Sequence, residues 1–310
     1  MRAAERGVFL LGRAKYRDIE EKVMRGERLT KEDGLRLFAC PDLSWLGALA
    51  DHVRREKCGD IVYYNVNCHV NLTNICTSHC KFCAFGRDAE DKGAYAMQMA
   101  DAIAVVEDAK KDPDLAGLHV VSGLHPDWTF EDYLSRVELL HTRFPELYMK
   151  GFTGVEITHF AKISGKSVEE VLRLLMERGG LSAIAGGGAE ILSDRVRGEL
   201  CPNKATAREW LDVHRTAHGL GLRSNASMLY GHIETLEERV DHLLTLRALQ
   251  DETGGFQTFI CFPFLPANTE LGQQVKQTSL WDDLRTMAIS RLLLDNFTNI
   301  KAYWVMLTVP

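Results

Sequence analysis

From about residue 61 onward, short runs rich in β-branched and aromatic residues alternate with longer stretches in which apolar positions recur every three or four residues. The short runs predict strands at 61–66, with a continuation through Val70 and Leu72, and at 117–121, 147–150, 182–185, 222–225, 256–261 and 300–305. Between them, a helix at 99–110 puts Met99, Ala102, Ile103, Val106 and Ala109 on one face. A second opens at Thr129 and carries Phe130, Tyr133, Leu134, Val137 and Leu140. Helices at 167–178, 206–220 and 235–249 open on the capping boxes Ser167/Glu170, Thr206/Glu209 and Thr235/Glu238, and a last helix is predicted at 279–295. The first sixty residues read differently. Segments 16–27, 30–38 (Thr30 capping toward Asp33) and 43–57 are helical, with no strand between them.

Strand–helix alternation builds a parallel sheet with its helices outside. Seven strands with glycines and polar residues at their C-terminal ends favour a (βα) barrel, which gathers its chemistry at that end. The expected class is α/β: a TIM-like (βα) barrel, full or partial, over 61–310, with an N-terminal helical cap over 1–60. No helix follows the seventh predicted strand before Pro310, so the barrel is expected to lack its last C-terminal unit.

A chain of 310 residues can bury a sizeable core, and 45% apolar with 26% charged residues is ordinary for a soluble globular protein. A net charge of −6 argues against nucleic acid as a main partner. The apolar run at 7–12 is too short for a secretory signal, and no stretch approaches the roughly 18 apolar residues of a membrane helix. The expected location is the cytoplasm, where the eight cysteines serve as thiols or metal ligands. Cys40, Cys58, Cys68, Cys201 and Cys261 are scattered and read as small buried apolar residues.

Cys76, Cys80 and Cys83 are different, because they lie within eight residues of one another in a polar loop containing Thr77, Ser78 and Lys81. Three thiolates at this spacing can each reach a different iron of a 4Fe–4S cluster and leave the fourth iron open. The alternative is a zinc site completed by His79 or His69. Zinc sites usually come as paired C-x2-C units, and no second pair exists here. The C-x3-C-x2-C spacing, with Phe82 just before the last cysteine, resembles the signature of the radical S-adenosylmethionine superfamily. That resemblance implies a radical-SAM barrel whose open iron chelates S-adenosylmethionine. It also implies that the turn Ser122-Gly123-Leu124 holds the methionyl amino group by backbone contacts, although its first position is Ser rather than Gly.

Other strand ends carry further candidates. Gly186, Gly187 and Gly188 let a backbone approach a ligand closely, and no Lys-Ser/Thr follows to make a P-loop. Glu190 beyond them, and Glu156 after strand three, are placed either to accept bonds from ribose hydroxyls or to serve as helix-start carboxylates. Asn225 ends strand five and is a further cofactor contact. His232 and Glu234 follow, either positioning substrate and moving a proton or capping the helix at Thr235. His69 and Asn71 share one face of strand one and point into the barrel if the strand does not bulge. Lys150, Arg195 and Arg197 are candidate carboxylate-binding cations.

Residues 69–76, 121–134, 150–158, 186–191 and 256–269 together resemble the aminofutalosine synthase family of the futalosine route to menaquinone, and the likeness runs from about residue 15 to the end. The resemblance implies addition of a 5′-deoxyadenosyl radical to the enol double bond of 3-[(1-carboxyvinyl)oxy]benzoate. S-adenosylmethionine is then a consumed co-substrate, and an aromatic carboxylate is the partner substrate. A low-potential donor such as flavodoxin or ferredoxin supplies the electron. Sister enzymes, namely dehypoxanthine futalosine cyclase and deazaflavin-precursor synthase, share the cysteine loop. A non-catalytic zinc-binding α/β protein is the reading from another class.

Overall fold

The computed structural model describes residues 14–307. The apolar run at 7–12 and the last three residues of the expected barrel lie outside the described residues. Three helices open the structure: α1 (Arg17–Met24), α2 (Lys31–Phe38) and α3 (Leu43–Cys58). Thr30 closes the expected reciprocal cap with Asp33 at the start of α2. Seven strands follow: β1 (Val66–Asn71), β2 (Leu115–Val121), β3 (Tyr148–Thr153), β4 (Leu181–Ala185), β5 (Arg223–Tyr230), β6 (Phe256–Pro263) and β7 (Asn299–Ala302). They pair in sequence order and all in parallel, so the sheet curls as a barrel wall. Among the described residues β7 makes no ladder to β1, which gives the open, partial form of the barrel. A single hydrogen bond, Lys301 Nζ to Asn65 Oδ1 at 3.1 Å, spans the seam.

The helices between strands are α4 (Met99–Ala109), α5 (Phe130–Arg143), α6 (Gly154–Ser164), α7 (Val168–Glu177), α8 (Asp194–Leu200), α9 (Ala207–Gly219), α10 (Leu236–Thr253) and α11 (Leu280–Leu293), and a single turn α12 (Trp304–Leu307) ends the described chain. The core lies outside the barrel wall. Cys68, Val70 and Leu72 point outward from the first strand segment onto Ala102 and Val106 of α4. The opposite set, Asn67, His69 and Asn71, is therefore turned inward by strand alternation. On the far side, Leu37, Leu46 and Leu49 of the N-terminal helices share one apolar cluster with Val240, Leu292 and Leu293. The helices α1–α3 thus pack onto the barrel helices through a common core.

Several elements differ from the sequence expectation, among them β3, which runs on to Thr153. Ile61, Val62, Tyr63 and Tyr64 are exposed rather than in a strand, because pairing with β2 begins only at Val66. β5 extends to Tyr230, since β6 continues beside it to Pro263. β7 stops at Ala302, and Trp304 onward is helical. Two helices, α6 and α8, were not anticipated. Of the five scattered cysteines, Cys40, Cys68, Cys201 and Cys261 are buried, whereas Cys58 is only half-buried.

Leu46 is fully buried in the shared cluster. Its replacement by Ala is expected to cost roughly 2–5 kcal/mol of stability. Urea denaturation followed by circular dichroism should show one shifted transition; a separate early transition of the helical segment would contradict the shared core.

Candidate active site

The loop from Thr73 to Met97 lies across the C-terminal mouth of the barrel and is pinned at several points. Gly123 N–H donates to Thr73 O at 2.8 Å, Thr77 N–H to Leu124 O at 3.0 Å and Cys76 N–H to Arg87 O at 3.0 Å. Lys81 N–H donates to Leu200 O at 3.0 Å, and Lys81 O accepts from Leu271 N–H at 2.9 Å. A Cβ at Gly123 would stand 2.3 Å from Ile75 O, so only glycine lets the β2 turn and the cysteine loop meet this closely. His79 adopts a positive φ of 44° and directs its ring outward, 3.7 Å from Asp88.

Below this loop a cavity of about 350 Å³ is lined by Cys76, Ser78, Cys80, Phe82, Cys83, Ser122, Gly123, Glu156, Gly186, Gly187, Gly188, Lys204 and Asn225, among others. Three thiols therefore face one space. Among the described residues no three His, Cys, Asp or Glu side chains close on a point as a single ion requires. Three thiols on one cavity suit a polynuclear cluster, whose irons each take one thiolate. His79 is turned away and His69 lines a different cavity, so the zinc alternative lacks its fourth ligand here. Two buried hydroxyls on the cavity wall, Ser78 Oγ and Ser122 Oγ, have no partner, and the three glycines present bare backbone to the same space. Donor chemistry, unpaired hydroxyls and bare backbone fit a 4Fe–4S cluster on the thiols with S-adenosylmethionine beside it.

Glu156 begins α6 and braces the site. Its Oε1 accepts Ser122 N–H at 2.6 Å and its Oε2 accepts Thr153 N–H at 2.7 Å, so one carboxylate ties the ends of β2 and β3. Burial pushes this carboxyl up to about 7 against the opposing pull of those donors. The triple glycine is also a packing device: a Cβ at Gly186 would lie 2.7 Å from the Asn225 backbone, and one at Gly188 (φ +83°) 2.6 Å from Val155. Glu190, itself at φ +47°, is ion-paired with Lys204. Lys204 went unnoticed in the sequence. Its ammonium stands 5.1 Å from the Phe82 ring centroid, and it is the cation that opposes the burial-driven rise of the Cys80 thiol to about 12. The Glu190 charge raises Lys204 despite its burial, so a fixed positive charge sits beside the cysteine loop.

A second cavity of about 420 Å³ occupies the barrel interior beneath the first. His119, Asn225, Ile260 and Phe262 line both. Its polar wall holds Asn65, Asn67, His69, His119, Lys150, Asn225 and Lys301, and no Asp or Glu. Parallel register sets His69 beside His119 and His119 beside Lys150. The two imidazole centroids are 4.6 Å apart. His119 and Lys301, like Lys204, were missed because only the register across strands brings them together.

Several expected site residues lie elsewhere. His232 and Glu234 line neither cavity. His232 Nε2 bonds Leu229 O at 3.0 Å, while Glu234 accepts Gly231 N–H at 2.6 Å, His232 N–H at 2.8 Å and Arg239 Nε at 2.8 Å. These contacts are those of a loop cap, not of a substrate-facing dyad. Asn71 lines neither cavity, although it lies on the inward face. Arg195 pairs with Glu238 at 2.7 Å, and buried Arg197 donates to Gly188 O at 3.2 Å and Ala189 O at 2.6 Å, so it supports the glycine turn.

Two outcomes follow from this geometry. After anaerobic reconstitution, Cys80→Ser should lose most of the about four irons per chain that a full cluster holds; iron and sulfide analysis reads this directly. The fully buried Glu234 carboxyl is held down to about 2, despite burial, by His232 and Arg239. Its folded value lies below the unfolded one near 4.5, so its stabilisation is present above that value and fades as pH falls toward 2. Glu234→Ala should lower stability at pH 7 by roughly 1–3 kcal/mol, leaving Arg239 with Asp282 as its remaining anionic partner, without removing iron.

Comparison with known proteins agrees with this site. The profile of the radical SAM superfamily matches residues 70–246. The chain is 46% identical over 293 residues to the aminodeoxyfutalosine synthase of Thermus thermophilus, covering 94% of this chain and 78% of that one. It is 37% identical over 299 residues to the 5-amino-6-(D-ribitylamino)uracil–L-tyrosine 4-hydroxyphenyl transferase of Methanococcoides burtonii, covering 94% and 81%. Among solved structures, the FeFe-hydrogenase maturase HydG from Carboxydothermus hydrogenoformans superposes with a TM-score of 0.73 at 16% identity, over 96% of this chain and 67% of that one, and shares the fold. A cysteine loop pinned over a parallel barrel and a matched profile across more than half the chain lead to one conclusion: this protein belongs to the radical SAM superfamily and is a radical SAM enzyme.

Proposed function

We propose that the protein is an aminodeoxyfutalosine synthase, joining the 5′-deoxyadenosyl group to 3-[(1-carboxyvinyl)oxy]benzoate in menaquinone biosynthesis. The observation that carries this reading is the lower cavity: four basic side chains, His69, His119, Lys150 and Lys301, and no carboxylate. A dicarboxylate is drawn to such a wall. Tyrosine, which the printed name of the methanogen relatives gives as their substrate, brings an α-ammonium group that this wall has no anion to meet.

When bound, the cluster and S-adenosylmethionine supply the 5′-deoxyadenosyl radical. Cys76, Cys80 and Cys83 would hold the cluster. Ser122, Gly123 and the 186–188 backbone would hold S-adenosylmethionine, with Glu190 and Asn225 at its edge and Phe82 against the loop. Lys204 offsets negative charge beside the thiolates. Glu156 ties the β2 and β3 ends together and so holds this side of the upper cavity's rim in place. Ile260 and Phe262 form an apolar stretch of the shared wall and keep water from the reacting carbons. A small, low-potential electron-transfer protein such as flavodoxin or ferredoxin is the reductant.

Anaerobic incubation of the reconstituted protein with S-adenosylmethionine, dithionite and the carboxyvinyloxybenzoate should give a covalent adenosyl adduct by mass spectrometry. Stoichiometric free 5′-deoxyadenosine with no adduct would sink the assignment, and an adduct formed with tyrosine in place of the dicarboxylate would favour the transferase.

A further inference from the structure

The lower cavity poses an electrostatic problem that no protein group solves. Lys150 makes no hydrogen bond or ion pair among the described residues, and Lys301 bonds only the neutral Asn65. His119 Nε2 is buried and without a partner. The neighbours that face His119 are His69 on β1, Lys150 on β3 and Lys301 on β7; Tyr148 and Tyr303 are the other titratable groups of this wall. The nearest acid along the shared wall, Glu156, lines the upper cavity and has both oxygens engaged by backbone amides. Like charges abreast on neighbouring strands repel. An unpaired buried donor costs free energy of its own. Both penalties are relieved by one occupant, an anion.

We propose that His119 and Lys150, with Lys301 across the seam, bind the ring carboxylate of the substrate inside the barrel, so that the ligand lies along the barrel axis with its alkene end toward the cysteine loop. This inference rests on the dicarboxylate reading above and adds the direction in which the ligand lies. The two ends of the cavity system differ in the way this orientation requires. Basic groups line the lower space, whereas the shared wall of Ile260 and Phe262 is apolar and the thiols face the upper space. A ring carboxylate among the bases leaves the ring against Phe262 and the vinyl carbon next to the S-adenosylmethionine space. The reverse orientation would pair the enol carboxylate with the same bases but carry the alkene into the lower space, away from the thiol-lined cavity.

The arrangement also has a proton signature. Burial and the flanking bases hold His119 down to about 3, and burial lowers His69 and Lys150 in the same sense. His119 is neutral in the empty cavity at pH 6.5, and burial disfavours the charged forms of His69 and Lys150. A carboxylate placed among them favours their charged forms, so binding takes up protons at any pH between the empty and loaded values.

The test is calorimetric titration of the cluster-loaded, unreduced protein with the carboxyvinyloxybenzoate at pH 6.5, in two buffers of different ionisation enthalpy. Proton uptake is expected for the wild type. Lys150→Met and His119→Ala should each weaken binding at least tenfold, with His119→Gln, which keeps a neutral donor, recovering part of the loss while showing reduced proton uptake. Unchanged far-ultraviolet circular dichroism and an unchanged iron content verify the fold of each variant. Wild-type-like affinity in both Lys150→Met and His119→Ala overturns the orientation while leaving the synthase reading intact. No binding to the wild type, with tyrosine binding instead, overturns both.

Discussion

The contact on which the site depends is backbone against backbone. The loop that carries three thiols rests directly on the turn after β2, with Gly123 N–H bonded to Thr73 O and no room for a Cβ between that turn and Ile75 O. Everything above the barrel is placed by this contact. It sets the height of Cys76, Cys80 and Cys83 over the strand ends, and the carboxylate of Glu156 then spaces the β2 turn from β3. A loop of this length would otherwise sample many positions at a cost in ordering entropy. Here most of that cost is met by main-chain hydrogen bonds, which do not depend on which side chains line the cavity.

The sheet below supplies the second ordering principle. Parallel register with inward alternation stacks side chains in layers, and one layer holds His69, His119 and Lys150 side by side. Three basic side chains stacked in one layer with no acid beside them suit an anionic ligand. Above the layer the glycine turn, braced by Arg197 and packed on Asn225 and Val155, keeps the mouth open. A rigid rim and an unsatisfied interior are complementary halves of one ligand space.

Local signals in the sequence translated well into structure. The cysteine spacing and the capping boxes at Thr30, Ser167, Thr206 and Thr235 each involve residues within a few positions of one another, so no tertiary information is needed to read them. Non-local ones did not. The run at 61–64 has strand composition but no partner in register, and stays exposed. The start of α6 was overlooked because its cap, Thr153 with Glu156, follows directly on a strand and opens with glycine. His119, Lys204 and Lys301 look unremarkable one at a time, and only folding converts them into a charge arrangement. His232 and Glu234 show the converse: their chemistry is suggestive in sequence, yet they line neither cavity and bond Leu229 O, the loop amides and Arg239.

Four residues, His119, Asn225, Ile260 and Phe262, line both cavities, so the partition between them is a single layer of side chains. Two occupants that lean on the same wall cannot bind independently. Whatever rotamer one of them imposes on Phe262 or Asn225 is the surface the other must accept, and the resulting coupling in affinity is equal in both directions. The thinness of this wall therefore makes the enzyme a device in which each ligand reports the presence of the other before any electron arrives.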